Sequence, residues 1–489
     1  MELLQSTKGT KVRYPDKLDA AYFLEKKMDF IPNEFLIIYK PNTSQDAIDW
    51  VHKQMITTRI PSLIKRSVIA GSRVVGQQDC PIDLVTINSS NNLFEAIEEY
   101  RKYSCVLWAE PNTIVKASQA TLTPNDILFP LQWNLDVGVS ETYFGAAATS
   151  DINAPAGWYL ADPYSPSAKK IVAVVDSGVD TTHYDLLFFP AGNIVGGWDC
   201  VLDQPITFEQ PGIDLGPHGT LVAGIIGATA NNFPALGVVP PLPETMTVMD
   251  YSRTPPSVTS SPFSPNLPTA VGVPALGIAG ITWNNAQIMP VRGLAGTTGD
   301  LAHLLAAVEF AINNGANIIN ASWTIGSLPL LSLELAILKA DQILTDKQKG
   351  ILFVCASGND GKNIDFPGQE SYPASYPEKN IIAVASTNMF DRMSAFSNYG
   401  AVSVDIAAPG ELVMTTAPNN YFTLANGTSL ASPHVAGVAA FVWAKYPKFT
   451  HDELKNIILL TAEKNLVYPA GMTRTGGDVN LYTAFGGIL

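Results

Sequence analysis

From residue 170 onward, short unbroken apolar runs alternate with helical patterns. Four runs rich in β-branched residues predict buried parallel strands, at 171–175, 318–319, 351–354 and 381–384. Apolar spacing over 301–313 predicts a helix that begins after Asp300 as its N-cap and stops at Asn314-Gly315. Such alternation favours an α/β fold with a doubly wound, mainly parallel sheet, whose functional groups gather at the carboxyl ends of the strands.

The pattern before residue 118 is different. Residues 1–28 are polar and predict a flexible tail, whereas residues 29–117 predict a small α+β domain. Its predicted strands lie at 34–39, 83–87 and 106–109, and its helices at 44–55 and 93–103. A Ser/Thr/Pro-rich link, SQATLTPND, ends near Asp126. The rest, 118–489, predicts one large domain with surface insertions near 200–217 and 241–275, the second Pro-rich enough that we assign it no single conformation.

Composition and net charge argue against several classes of partner. The chain has 489 residues, 30 basic against 44 acidic groups and a net charge of −14, with most of the acidic excess after residue 117. Such a surface repels phosphate backbones and anionic lipid, so we expect no nucleic acid and no membrane partner, whereas divalent cations fit. The four cysteines have no C-x-x-C spacing, so no zinc site is predicted, while a single disulfide stays open. The N-terminus lacks a secretory signal pattern, so either a leader was removed or export follows another route.

The segment ANGTSLASPHVAG, 425–437, contains two serines and a histidine and is therefore the first candidate for a catalytic residue. Ser429 precedes a long apolar helix, whose N-terminal N–H groups would stabilise an oxyanion, but a serine needs a base to become a nucleophile. His434 would lie on the same helix and points away from Ser429, so we assign it a packing role. The other candidate is His218, in DLGPHGT, which is flanked by Gly219 and opens a Gly/Ala-rich helix. Ser432 is interpreted as a first-turn packing residue.

Two further residues complete a possible set. Asp176 ends the first parallel strand, where alone it fits an Asx turn or even a phosphatase-like nucleophile. Asn359 follows the strand 351–354, where alone it indicates only a turn. Together they give nucleophile Ser429, base His218, orienting Asp176 and amide donor Asn359. A phosphatase leaves two of these residues without a role.

Four short motifs carry a family resemblance. D-S-G at 176–178, H-G-T at 218–220, S-G-N at 357–359 and G-T-S-L-A-S-P-H-V-A-G at 427–437 resemble, in order, those of the subtilisin-like serine proteases, the subtilase family of S8 type. The resemblance implies a three-layer sandwich with a seven-stranded, mainly parallel sheet between helices, preceded here by the small α+β domain. It also implies a serine endopeptidase that acts through an acyl-enzyme and needs no cofactor for catalysis.

The same resemblance implies a zymogen. The unit 29–117 is similar to the family's propeptide, with VLWAEPN at 106–112 as its closing motif, and would act as an intramolecular inhibitor. Its tail would then lie in the active cleft, so we expect self-cleavage between about Lys116 and Asn125.

By the same matching, substrate and calcium residues are expected. Substrate would contact two segments: Ser322, Trp323 and Thr324, then Ala356, Ser357 and Gly358. Thr324 stands where the family usually has Gly, and Leu430 replaces the usual Met beside the nucleophile. Asp185 and Asn231 resemble ligands of a structural calcium site.

The resemblance also bears on partners and compartment. We expect polypeptide substrates, a monomer, and a secreted or extracytoplasmic location, with the cytoplasm as the alternative because no leader is visible. The rival hypothesis is a silent member that keeps the fold as a peptide-binding module, with its propeptide bound.

Overall fold

A computed structural model gives the fold of this chain. It describes residues 30–40, 42–58, 63–72, 80–87, 93–113, 121–138, 147, 149–161, 169–186, 194–207, 212–231, 246–250, 257–261, 277–283, 285–343, 350–465 and 467–486. The chain forms two compact units, Met1–Gln119 and Ala120–Leu489. The predicted tail 1–28, residues 116–120 of the predicted cleavage segment, and most of the insertion 241–275 lie outside the described residues.

The first unit is an antiparallel sheet with two helices. Its elements are β1 (Phe30–Tyr39), α1 (Gln45–Thr58), β2 (Leu63–Ser72), β3 (Cys80–Ile87), α2 (Leu93–Arg101) and β4 (Val106–Thr113). The sheet order is β2-β3-β1-β4. Phe35, Ile37 and Tyr39 alternate along β1, so they share one face, and that face packs in one core with α1 and α2. The predicted elements are confirmed, but β2 was not predicted.

A polar group lies inside this small core. The imidazole of His52 is buried, with Nε2 at 2.8 Å from Asp83 Oδ2 and Nδ1 at 2.9 Å from the Tyr100 hydroxyl. The Tyr39 hydroxyl also lies 2.9 Å from Nε2. Because its polar atoms have partners within the unit, His52 has a structural role.

The second unit contains the remaining elements. In chain order they are a 3₁₀ turn (Phe129–Leu131), α3 (Ala154–Ala161), β5 (Lys170–Asp176), β6 (Gly197–Asp199), β7 (Gln204–Ile206), α4 (His218–Gly227), β8 (Met246–Asp250), β9 (Ser257–Ser261), β10 (Ala286–Arg292), α5 (Leu301–Asn313), β11 (Ile318–Ala321), α6 (Leu331–Asp341), β12 (Leu352–Ala356), β13 (Ile381–Thr387), β14 (Ile406–Pro409), β15 (Val413–Ala417), β16 (Tyr421–Asn426), α7 (Thr428–Lys445), α8 (His451–Leu460), β17 (Glu463–Lys464), β18 (Gly477–Asp478) and α9 (Leu481–Gly486).

A large, mainly parallel sheet forms the centre of this unit. Its order is β17-β18-β14-β13-β12-β11-β5-β10-β6-β7, and the seven strands from β14 to β6 pair in parallel. The antiparallel pairs lie at the edges, β17 with β18 and β6 with β7. A smaller sheet has the order β15-β16-β8-β9.

Both faces of the large sheet are covered by helices. Along β5, Val172 and Val174 belong to one core with α4 and α7, whereas Ala173 and Val175 belong to another with α5 and α6. Fully burying an aliphatic side chain stabilises a protein by about 1.5 to 3 kcal/mol. The helices on both faces of the sheet are therefore stabilised by packing against β5. The predicted α/β fold class, a three-layer sandwich with a mainly parallel sheet, is confirmed.

Local predictions in this unit are mostly confirmed. The four predicted buried strands are β5, β11, β12 and β13, and α5 spans the predicted residues, with the side chain of Asp300 accepting from the His303 N–H. The insertions contain regular structure that was not predicted: β7 in the first, and β8 and β9 in the second. Cys105, Cys200 and Cys355 are free thiols. Within the described residues, no helix has the length and apolar character needed to cross a membrane.

Candidate active site

A cleft of about 610 Å³ lies where several parallel strands end. Its walls come from the segments after β5, β10, β11 and β12 and from the starts of α4 and α7, as expected for a doubly wound sheet. The four residues predicted to carry chemistry all line it: Asp176, His218, Asn359 and Ser429. Residues separated by more than 200 positions in the sequence therefore meet in one cavity.

A short hydrogen bond joins the predicted base to the predicted carboxylate. His218 Nδ1 lies 2.8 Å from Asp176 Oδ1, and both side chains are buried. The Ser177 N–H donates to the same carboxylate oxygen at 2.7 Å. With Nδ1–H donated to Asp176, the other ring nitrogen of His218 is the one that can accept a proton.

Two glycines allow the end of β5 to approach the start of α4 closely. A Cβ atom at residue 219 would lie 1.8 Å from the Gly178 carbonyl oxygen, and one at residue 178 would lie 2.2 Å from the Ile213 carbonyl oxygen. Gly178 also has a φ of +117°, a conformation that other residues rarely adopt. The glycines of the D-S-G and H-G-T motifs therefore let the end of β5 contact the start of α4.

A second carboxylate, which the sequence analysis did not identify, fixes the same junction. Asp214 accepts from the Ser177 hydroxyl at 2.8 Å and from the N–H and hydroxyl of Thr220 at 2.8 and 2.6 Å. Ser177 Oγ in turn accepts from the Gly219 N–H at 3.0 Å. The sequence signal that was available is a carboxylate four residues before the histidine.

Two opposing effects set the proton affinity of His218. Burial alone lowers the pKa of the imidazole, because the charged form loses its solvation. Asp176, by charge and by hydrogen bond, and Asp214, by charge, outweigh this effect, so the pKa of His218 lies above its ordinary value. The site therefore stabilises the imidazolium that forms when His218 takes a proton.

Ser429 occupies the first turn of α7. The side chain is 5% exposed, and its hydroxyl makes no hydrogen bond in the structure. The preceding Gly427 has a φ of +152°, and its N–H donates to the Gly410 carbonyl at 2.8 Å. The residue thus enters the helix from a sharp turn, with its N–H among the first of the helix, where no intrahelical acceptor exists.

The orientation of Asn359 is fixed by its neighbour Thr428. Asn359 Oδ1 accepts from the N–H of Thr428 at 2.9 Å and from its hydroxyl at 2.8 Å. Because a backbone N–H can only donate, the amide atom that it meets must be the oxygen, so the NH₂ of Asn359 lies on the side away from the Thr428 N–H. Asn359 also lines the cleft, so this NH₂ can donate there. Thr428 was not predicted as the orienting residue.

The rival histidine has the packing role expected for it. His434 is fully buried, and its Nδ1 donates to the Leu430 carbonyl at 2.8 Å while Nε2 accepts from Asn134 Nδ2 at 2.8 Å. Burial lowers the pKa of His434 to about 4, so the ring is neutral near pH 7. It is not among the residues that line the cleft.

Five of the six residues expected to contact substrate line the cleft. They are Ser322, Trp323, Thr324, Ala356 and Gly358. Ser357 does not: its side chain is buried and its hydroxyl donates to the Asn398 carbonyl at 2.9 Å. The indole of Trp323 is anchored by its Nε1–H, which donates to the Val175 carbonyl at 2.9 Å. The wall of the cleft formed by residues between 294 and 304 was not predicted.

The two expected calcium residues lie near each other. Asp185 is buried, with Oδ2 accepting from the Ile278 N–H, and its carbonyl accepts from the N–H of Thr229, two residues before Asn231. Asn231 has a φ of +58°, and its Oδ1 accepts from the Asn125 N–H at 2.7 Å. Carboxylate and amide oxygens are ligands that Ca²⁺ prefers, and the following residues, 232–245, lie outside the described part of the chain. No group of three or more His, Cys, Asp or Glu residues with ligand geometry occurs among the described residues.

Comparison with known proteins agrees with this geometry. The profile of the Subtilase family matches residues 167–486. A thermophilic serine proteinase of Bacillus sp. (strain AK1) is 27% identical over 483 residues, covering 99% of this chain and 94% of the relative. Subtilisin Savinase of Lederbergia lenta is 34% identical over 293 residues, covering 60% of this chain and 82% of the relative.

A solved protease structure from Pseudoalteromonas arctica shares the fold. Its TM-score is 0.54 at 24% identity, and the match covers 74% of this chain and 99% of that one. Members of the matched family are serine endopeptidases, which hydrolyse polypeptides without a catalytic cofactor. The family profile covers more than half of the sequence, and the chain therefore belongs to the subtilase family of serine proteases.

Proposed function

We propose that this cleft cleaves peptide bonds with Ser429 as nucleophile, His218 as general base, Asp176 as the group that orients the base, and Asn359 as an oxyanion donor. The observation that carries the proposal is the 2.8 Å bond from His218 to Asp176 inside a cleft that Ser429 and Asn359 also line. An isolated Asp or Asn at a strand end has an ordinary turn role, whereas four convergent groups satisfy each requirement of acyl transfer.

The chemical steps follow from these positions. Ser429 Oγ bonds to the substrate carbonyl carbon as His218 accepts the hydroxyl proton, and the carbonyl oxygen becomes an oxyanion. The NH₂ of Asn359 and the N–H of Ser429 donate to that oxygen. Collapse breaks the C–N bond, and His218 returns its proton to the leaving amine. Water then attacks the carbonyl carbon of the acyl-enzyme as His218 takes its proton. The bond to Ser429 Oγ breaks, His218 returns the proton to that oxygen, and the acid product leaves.

The Ser429 hydroxyl is available for this reaction. It makes no hydrogen bond in the structure, so attack breaks no existing contact of that oxygen. In substrate-free enzymes the bond between nucleophile and base is often long or misaligned and forms in the complex. The raised pKa of His218 supports the same role, because a base with higher proton affinity takes the hydroxyl proton more readily.

We also propose that the chain is a self-processing zymogen. The small α+β unit has its own core, built on β1, α1 and α2, and could therefore fold as a separate inhibitor. The relative from Bacillus sp. aligns with 99% of this chain, so the alignment includes this unit. Cleavage between about Lys116 and Asn125 would separate it from the large unit, and the product would act outside the cytoplasm.

Structural calcium is part of this proposal. Asp185 and Asn231 would supply a carboxylate and an amide oxygen, and the bound ion would tie the loop after β5 to the loop after α4. No catalytic step requires it.

Two measurements test the assignment. A fluorophosphonate probe should label the purified protein at Ser429, as located by peptide mass spectrometry, and Ser429→Ala should abolish both labelling and hydrolysis of a peptide substrate. N-terminal sequencing of active protein should give a new terminus between about 116 and 125, whereas Ser429→Ala should remain uncleaved. A wild-type protein that folds but takes no label would support the silent peptide-binding member instead.

A further inference from the structure

The carbonyl group of Ser429 has an unusual partner. In a regular helix this carbonyl would accept from the N–H of residue 433, four positions later. Residue 433 is a proline inside α7, and proline has no N–H. The Ser322 hydroxyl donates to the Ser429 carbonyl instead, at 2.8 Å. A side chain from the segment after β11 therefore replaces a missing bond of the helix.

The direction of every hydrogen bond around Ser322 is determined. A carbonyl can only accept, so the single hydroxyl proton of Ser322 goes to Ser429. Asn320 Nδ2 donates to Ser322 Oγ at 2.8 Å. The remaining contact, 2.8 Å between the hydroxyls of Ser322 and Ser432, then requires Ser432 as donor. Ser322 Oγ thus donates once and accepts twice, which uses its full capacity.

All members of this network are shielded from water. Asn320 and Ser432 are fully buried, and Ser322 and Ser429 are each 5% exposed. A hydrogen bond in such surroundings meets little competition from water, so loss of the Ser322 hydroxyl removes a well-shielded partner of the Ser429 carbonyl. The first turn of α7 would then lose this side-chain link to the segment after β11.

We propose that Ser322 is a positioning residue, whose hydroxyl sets the distance between the first turn of α7, with its nucleophile, and the β11 segment that lines the cleft. The inference rests on the proposed role of Ser429. Ser322 and Thr324 lie in the same short segment on the cleft wall, so one segment both borders the substrate and holds the attacking residue. Pro433 is part of the device, because it leaves the Ser429 carbonyl for a tertiary bond.

The test is a double-mutant cycle. Ser322→Ala should lower kcat by about 10- to 100-fold, since small misplacement of a reacting group has effects of this size. Its KM should change less than about threefold, because the backbone that borders the cleft is kept. Pro433→Ala restores an N–H to the helix, so the Ser322→Ala/Pro433→Ala protein should recover most of the lost kcat. Pro433→Ala alone completes the cycle, and its own effect on kcat is divided out of the double variant.

Two single variants complete the design. Ser432→Ala removes only a donor to Ser322 and should cost less than Ser322→Ala. Ser394→Ala, a buried serine that bonds to Ser386 on β13, is the matched control and should keep the wild-type kcat. Rates are expressed per active site by fluorophosphonate titration, so a misfolded fraction does not enter kcat.

The outcomes separate two kinds of failure. If the Ser322→Ala and Pro433→Ala effects simply multiply in the double variant, or if Ser322→Ala keeps full kcat, the positioning role is wrong. If Ser429→Ala retains hydrolysis, or the probe labels another residue, the proposed nucleophile itself is wrong.

Discussion

Asp214 accepts two hydrogen bonds from Thr220, one from the backbone N–H at 2.8 Å and one from the hydroxyl at 2.6 Å. Thr220 lies two residues after His218 in the first turn of α4. The carboxylate thus clamps the turn that carries the base, and its charge also acts on the imidazole. The D-S-G and H-G-T motifs are joined by this carboxylate as well as by the contact between Asp176 and His218.

Replacing Asp214 by Asn should extend activity to lower pH. The negative charge of Asp214 favours the imidazolium, so its removal lowers the pKa of His218, and the neutral, active base persists at more acidic pH. The acid limb of the pH profile of kcat/KM should therefore shift downward. Asp452→Asn, on the exposed side of α8, should leave the limb unchanged. An upward shift for Asp214→Asn would contradict the assigned charge effect.

Replacing Asn359 should affect kcat more than KM. Asn359→Ala removes one oxyanion donor, and we expect a loss on the order of 100- to 1000-fold in kcat, the range known for subtilisin, a member of this family. Asn359→Asp keeps an oxygen that accepts from Thr428 but places negative charge beside the oxyanion, so its loss should be larger still. Steady-state kinetics of the two variants measure this order. A more active Asp variant would show that Asn359 only orients Thr428.

Acid should destabilise the large unit through His434. Burial lowers the pKa of His434 to about 4, against about 6.5 in the unfolded chain, so the unfolded state binds the extra proton first. The stability that neutral His434 contributes is complete above pH 6.5 and is lost as pH falls to 4. The total change in the free energy of unfolding is about 3 kcal/mol. His434→Gln keeps a donor and an acceptor and should flatten this part of the pH dependence of the unfolding free energy. The free energy of unfolding is measured by denaturant titration at pH 7 and pH 4.5. If it falls by the same amount in His434→Gln and in wild type, His434 is not the source of this pH dependence.

Asp478 should have the opposite effect. Burial raises the pKa of Asp478 to about 7, so the neutral acid is favoured in the folded state, and the stability it gives is lost as pH rises through 7. Asp478→Asn can keep the contacts with Thr387 and Asn465, since the hydroxyl can reverse its role. The advantage of the variant over wild type should grow as pH rises from about 4 to 7, by about 4 kcal/mol in all, and should stay constant above that. Asp452→Asn, whose carboxylate is 42% exposed, should show a much smaller pH-dependent gain in denaturant titrations.

Much of the fold could be predicted because the strong patterns have simple physical causes. β5 reads as an unbroken apolar run since both its faces are buried, and α5 was predicted at both ends because Asp300 caps it and Gly315 follows it with a φ of +88°. β2 was missed because it is an edge strand, paired only with β3, and LIKRSVIAGS has no regular alternation.

The site was predictable only as far as its residues have distinctive chemistry. Ser429, His218 and Asp176 are reactive types in short motifs. Thr428 and Ser322 act through contacts with residues 69 and 107 positions away, which no local pattern reports. Asp214 had a weak local signal, its position four residues before His218, but its contact with Ser177 spans 37 positions. Ser357 was assigned to the cleft wall by the family resemblance, but alternation along the chain turns its side chain into the interior.

The placement of the motifs on separate strands and helices also determines when the cleft can become active. Asp176 ends β5 and Ser429 begins α7, a helix that packs against β5, β11, β12 and β13. A chain still leaving the ribosome holds Asp176 and His218 but lacks Ser429, the proposed nucleophile, and the complete polypeptide brings the three together only when the layers join. The proposed proteolytic activity is thus a property of the finished tertiary structure, which an incomplete chain does not have.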